Sequence, residues 1–181
     1  MVLCLLAGAP RAVVAAEGQQ GSRGAVSAKP SGERTSSQTA VRFGSLKSDR
    51  VEARQGAGSE HPVLWVFKRA GTPVEILGET NTWRQVRDAE GATGWVQSHD
   101  VSNRRTAVIL AGQAKASESA PQVALRVDDS ESAAPVALVE AGVIADLRTC
   151  DGRWCYVSVG VYRGWVEQAK LWGLAAGEVI R

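Results

Sequence analysis

Between residues 41 and 176 apolar and polar positions alternate in short runs. Gly, Asp, Asn and Ser break them. The runs fall at 41–46, 50–54, 63–68, 73–79, 83–88, 93–97 and 106–110, and again at 123–127, 135–139, 143–150, 154–159, 162–166 and 172–175. Most are rich in Val, Ile or Trp, and a period of two is that of a half-buried strand. No stretch sustains a helical period. The pattern predicts an all-β protein built as small barrels or sandwiches.

The runs also repeat. VEAR at 51–54 aligns with VALR at 123–126, and PVLWVFKRAG at 62–71 with PVALVEAG at 135–142. PVEILGETNTW at 73–83 aligns with IADLRTCDGRW at 144–154, and TGWVQSHDV at 93–101 with RGWVEQAKL at 163–171. Two copies are too few for a solenoid, so each copy is read as one small domain. The boundaries drawn from this pattern are 41–110 and 122–176, joined by a linker at 111–121 (AGQAKASESAP). Domains this small bury little core, so a staple or docking of one copy on the other is expected.

Ahead of the copies the composition changes. Residues 17–40 are Gly-, Ser- and Gln-rich and lack aromatics, which predicts a disordered tether. Residues 1–16 form a short apolar run ending Val14-Ala15-Ala16, the outline of a secretory signal peptide cleaved near Ala16. Against that outline, no basic residue follows Met1, and Arg11 interrupts the run. The run is too short for a membrane span, and Leu3 before Cys4 does not suit lipidation. The expected location is the periplasm or the exterior.

The first copy carries the family likeness most fully. VEARQGAG, FKRAG, NTW and TGWV follow one another in the first copy, and SLKSDRVEARQGAGSEHPVLWVFKRAGTPVEI with NRRTAV extends the match. These residues resemble the bacterial SH3-like domain, in the tandem form found in alphaproteobacterial envelope proteins. The resemblance covers about residues 41–176 and implies two tandem small SH3-like β-barrels. Copy two departs from it, with ALRVDDSESAAP where the family has a tight Gly-Pro turn; copy one has Ala57 and Glu52 at positions usually Pro and Asn.

No catalytic constellation accompanies the fold. There is no Ser in a Gly-x-Ser-x-Gly elbow, and QGAGSE lacks the Lys-Ser/Thr of a phosphate loop. The histidines, His61 and His99, lie in loops, and the turn carboxylates Asp88, Glu90, Asp128 and Asp129 suit turn hydrogen bonding. No cofactor and no metal are expected, because a zinc site needs about four ligands and Cys150 and Cys155 have no histidine nearby. Charge is nearly balanced, with ten basic against eight acidic residues in 41–109 and six against eight in 121–181. Without a basic cluster, nucleic acid is not a predicted partner.

What remains is tryptophan and cysteine. Neighbours along a strand point to opposite faces, and valine fits a small barrel interior. Trp95 and Trp165 are therefore expected outside, with Val96 and Val166 inside. Trp83 and Trp154 open the preceding strands, and Trp65 adds an aromatic to copy one. In an SH3-like barrel such tryptophans can line a peptide groove. The resemblance thus implies a non-enzymatic envelope module binding a peptidoglycan peptide or an envelope protein through Trp65, Trp83, Trp95, Trp154 and Trp165. The alternatives are burial of these tryptophans in a scaffold of mutually docked repeats, or an accessory role beside a cell-wall hydrolase. Finally, TCDGRWCY predicts a hairpin turning at Gly152-Arg153. Cys150 and Cys155 then face each other across it and form a disulfide in an exported chain.

Overall fold

In VEAR, Val51 and Ala53 are buried while Glu52 and Arg54 lie part-exposed on the other side. The same alternation recurs at Thr93–Gln97, Gln122–Arg126 and Tyr162–Glu167 of the computed structural model, which describes residues 41–110 and 121–181. The first sheet holds β1 (Arg42–Leu46), β2 (Val51–Arg54), β3 (Val63–Phe67), β4 (Pro73–Glu79), β5 (Trp83–Arg87), β6 (Thr93–Gln97) and β7 (Val101–Ser102). The second holds β8 (Thr106–Ile109), β9 (Gln122–Arg126), β10 (Pro135–Glu140), β11 (Ile144–Asp151), β12 (Trp154–Val159), β13 (Tyr162–Glu167), β14 (Leu171–Trp172) and β15 (Val179–Ile180). A single 3-10 turn precedes β7 at Ser98–Asp100 and β14 at Gln168–Lys170.

The strand order is β3-β2-β6-β5-β4-β1-β7 in the first sheet and β10-β9-β13-β12-β11-β8-β14 in the second. Adding seven to each strand number turns one order into the other, so the duplication read from the sequence is a duplication of topology. All neighbours pair antiparallel. β3 and β10 remain free edges, so neither barrel closes by hydrogen bonding from end to end. Each sheet wraps its own core. Leu46, Val51, Val74, Val86 and Val96 fill the first; Ile109, Leu125, Val157 and Val166 are among those filling the second. Burying one such side chain fully is worth about 1.5–3 kcal/mol.

The domain boundaries move. Thr106–Ile109, placed at the end of the first copy by the sequence pattern, pairs with β11 and β14 and is the first strand of the second sheet. The connection between the repeats is therefore only Asn103–Arg105. Local pattern cannot tell which sheet a strand joins, because that depends on partners distant in sequence. Residues 111–120 connect β8 to β9, two strands of one sheet, rather than joining two domains; they lie outside the described residues, as do residues 1–16 and 17–40, where a signal peptide and a disordered tether are expected. The run expected at 172–175 ends at Trp172, where Gly173 takes φ +125°. The chain then returns as β15 beside β11, beyond the predicted boundary at 176.

The repeats are docked through buried polar groups. The Ser45 and Thr106 hydroxyls lie 2.6 Å apart. Thr106 Oγ1 also lies 2.7 Å from the Gly71 carbonyl oxygen and Ser45 Oγ 2.6 Å from that of Arg104, so the two hydroxyl protons serve two of these three contacts. Phe43 meets Trp172 edge-on at 5.4 Å between ring centres. Arg104 pairs with Asp146, with Nε donating at 2.8 Å.

Candidate functional site

The loop between β2 and β3 is long and polar, and one arginine ties it down. Arg54 leaves the sheet on its outer face and donates through Nη1 to the carbonyls of Ser59 (2.9 Å) and His61 (2.8 Å). Glu52 holds the other end of its guanidinium at 2.6 Å. In the second repeat Arg126, at the matching place in β9, donates to the carbonyl of Ala133 at 2.6 Å. Arg54 stands opposite Trp95, and Arg126 opposite Trp165. Each fixed loop forms one wall of a groove.

The facing wall is the hairpin ahead of β5 or β12. In the first repeat the groove measures about 520 Å³. Ala57, Ser59 and Glu60 line one side, Asn81 and Thr82 the other, and His99 one end. Trp83 is its apolar floor. In the second, a shallower space of about 390 Å³ is lined by Asp129–Ser132, Arg153 and Trp154. The two grooves differ in their charged residues, with Glu60 in the first and Asp129, Glu131 and Arg153 in the second. Asp128 hydrogen-bonds Asp129 and pushes its carboxyl up from the usual range, because a shared proton spares two adjacent negative charges. Glu131 faces Arg153 at 3.6 Å.

The five tryptophans are not one surface. Trp83 and Trp154 are only 9% and 4% exposed, yet both stand outside the hydrophobic core clusters. They are groove floors rather than open platforms. Trp95 and Trp165 are half-buried on the outer faces, with Val96 and Val166 inside, the alternation expected from the strand period. Trp165 packs on Tyr156 at 5.4 Å. Trp65 points the other way. Its ring lies against the first core, over Gly94 and beside Phe67 at 5.8 Å. It also lines a separate cleft of about 370 Å³ with Arg69, Val108 and Ile144. Trp65 stands opposite Ala53 in the β2–β3 pairing and shares the inward side with Phe67, two residues on. Sequence reasoning did not single out Arg54 and Arg126. Their recurrence in VEAR and VALR was the available signal.

The paired grooves, in two sheets of one topology, agree with what the family comparison finds. The model of the bacterial SH3 domain matches residues 47–103 and again 119–173. The chain belongs to the bacterial SH3 domain family. Its two SH3 repeats carry the match on either side of Arg104–Arg105. No curated protein matches the chain. Among solved structures, NlpC1 of Trichomonas vaginalis is similar at 17% identity over 76% of this chain and 47% of that one, with a TM-score of 0.31. NlpC2 of the same organism gives 15% identity, 73% and 48% coverage, and 0.32. An NlpC/P60 family protein from Bacillus cereus gives 11%, 72% and 55%, and 0.31. The chain spans about half the length of these structures.

The remaining predicted site is the hairpin of the second SH3 repeat. Cys150 pairs directly with Cys155, and the two are joined as a disulfide. Gly152 takes φ +100° in the two-residue turn, a conformation that glycine adopts without steric cost. Asp151 Oδ1 accepts the N–H groups of Arg153 and Trp154, both at 2.7 Å, and these bonds hold its carboxyl below the usual range. No cluster of His, Cys, Asp and Glu able to hold a metal ion occurs among the described residues. No helix among them is long and apolar enough to cross a membrane.

Proposed function

We propose that this protein is a non-enzymatic binding module of the cell envelope that takes short peptides, foremost those of the cell wall, in the two grooves floored by Trp83 and Trp154. The observation that carries this reading is the recurrence of the groove. Both repeats keep a tryptophan floor, a hairpin wall and a loop tied by an arginine, although the loop sequences have diverged. Stability alone would not demand a concave polar rim over a buried indole in both copies. An apolar floor with a few polar rim groups is the usual composition of a ligand cleft. Export is part of the proposal, supported by the apolar N-terminal run and by a disulfide that persists only in an oxidising compartment.

The test is retention of the full chain on purified peptidoglycan. Filling both grooves with Ala57→Trp and Ser132→Trp should abolish retention while the far-ultraviolet circular dichroism stays unchanged. A wild-type chain that washes through freely would remove the cell-wall reading. A second reading, a scaffold of rigidly docked repeats, is favoured by the buried Ser45–Thr106–Gly71 contact. It predicts instead capture of an envelope protein that the groove-filling variants still bind.

A further inference from the structure

The two repeats differ at one barrel end. In the second, β15 lies beside β11 and pairs Ile180 with Cys150 and Val179 with Asp151. Ile180 packs against the core. The Glu178 carboxylate accepts from Arg105 Nη1 at 2.6 Å and Nη2 at 3.1 Å, and from the Ala175 N–H at 2.8 Å. Burial pushes Glu178 up, but these bonds and the arginine charge outweigh it and hold the carboxyl below the usual range.

Register identifies the matching place in the first repeat. Gly44 pairs with Val74 where Ala107 pairs with Ala145, so Arg42 stands where Arg105 stands. Glu79 pairs with Arg84 where Cys150 pairs with Cys155. The chain after β7 crosses into the second repeat as β8, so it does not fold back as β15 does. The β1 ladder stops at Arg42–Ile76, and Leu77–Glu79 has no described strand on that side. Leu77 is 40% exposed, and so, at 43%, is the Glu79 side chain. Glu79 is shared between Arg42 at 2.9 Å and Arg84 at 3.5 Å. Among the described residues Arg84 Nη1 is buried with no hydrogen-bond acceptor, and Nε reaches none closer than the Glu79 carboxylate at 3.5 Å. Two guanidinium groups thus meet one carboxylate beside a strand edge that no described residue pairs with.

We propose that the β4 edge at Leu77–Thr80 is a second binding site, which takes an extended segment of another protein by strand addition. The segment carries a carboxylate directly before two aliphatic residues, the chemistry that Glu178-Val179-Ile180 supplies at the equivalent edge. Main-chain hydrogen bonds to an exposed sheet edge supply affinity, and Arg42 and Arg84 supply selection for the acid.

The probe is a fluorescent synthetic peptide with the sequence of residues 173–181, titrated into the full chain and read by anisotropy. Saturable binding is expected. Charge reversal in Arg42→Glu, or replacement of the peptide's glutamate by lysine, should weaken it roughly fivefold or more. Glu79→Gln, which frees both arginines, should tighten it and so gives an answer even if the reversal disturbs β1. Hydrogen exchange should show new protection in Leu77–Thr80. The proposal fails if no saturable binding occurs, if these substitutions leave it unchanged, or if protection changes only at β11, which would mean exchange with β15.

Discussion

Glu79 and Arg84 in one repeat, Cys150 and Cys155 in the other, occupy the same cross-strand register. A part-exposed ion pair and a covalent bond therefore solve the same problem, holding the end of one hairpin. The ion pair contributes little, because exposed pairs are worth about 0–1 kcal/mol. The disulfide contributes through the unfolded chain, and its closed loop is so short that about 2 kcal/mol is its ceiling. The double substitution Glu79→Cys with Arg84→Cys should accordingly form a second disulfide. Denaturant unfolding with and without reductant should then differ by about 2 kcal/mol beyond the wild-type difference. An unchanged difference would refute the equivalence of the two sites. The cysteine pairing was legible from the sequence because a two-residue turn sets register by itself. The Glu79–Arg84 pair was not, since its turn, Asn81-Thr82, has no glycine to mark it.

At the scale of elements, the Gly-Trp-Val strands show why one motif recurs. The valine faces the core and the tryptophan faces out. The glycine sits where β13 crosses β9, and a Cβ at Gly164 would lie 2.8 Å from the Arg126 carbonyl oxygen. At Gly94 it would meet side chains instead, the Trp65 ring at 3.0 Å and the Ala53 methyl at 3.1 Å. Backbone cannot yield as a side chain can. Gly164→Ala should therefore lower stability by roughly 1–3 kcal/mol, the range for overpacking a tight site, and Gly94→Ala by less. Thermal denaturation of the two variants checks the order; equal losses would contradict it. Alternation alone predicted the inward valines. It could not predict that Trp83 and Trp154 would be buried outside the core, because loops that approach from distant sequence build the grooves around them.

Over the whole molecule, a short connection and a buried hydroxyl network join the SH3 repeats. Thr106 is nearly inaccessible, and its hydroxyl faces both the Gly71 carbonyl and Ser45. Removing it leaves buried polar atoms without partners, which costs about 1–3 kcal/mol. Calorimetry of the wild type should show a single transition with equal calorimetric and van't Hoff enthalpies. Thr106→Val should lower its midpoint; two transitions in the wild type would show that the docking does not couple the repeats. Docking also holds the two grooves in one body, so a ligand long enough to reach both would gain from the second contact without paying again for association.

The order of apolar and polar residues determined the strands, the duplication and the hairpin that sets the two cysteines face to face, and specific motifs carried the resemblance to the SH3 family. These depend on period-two alternation, turn glycines and short-range register, all of which act within a few residues. Tertiary structure alone decided that Thr106–Ile109 opens the second sheet, that Trp65 turns inward, and that Arg54 and Arg126 shape the grooves. It also decided that the C-terminal strand covers one barrel end while no described strand lies beside the matching edge of β4. Each of these outcomes depends on which distant segment wins a place beside a strand. That competition is settled by packing and hydrogen bonding across the whole chain, so no local window of sequence contains it.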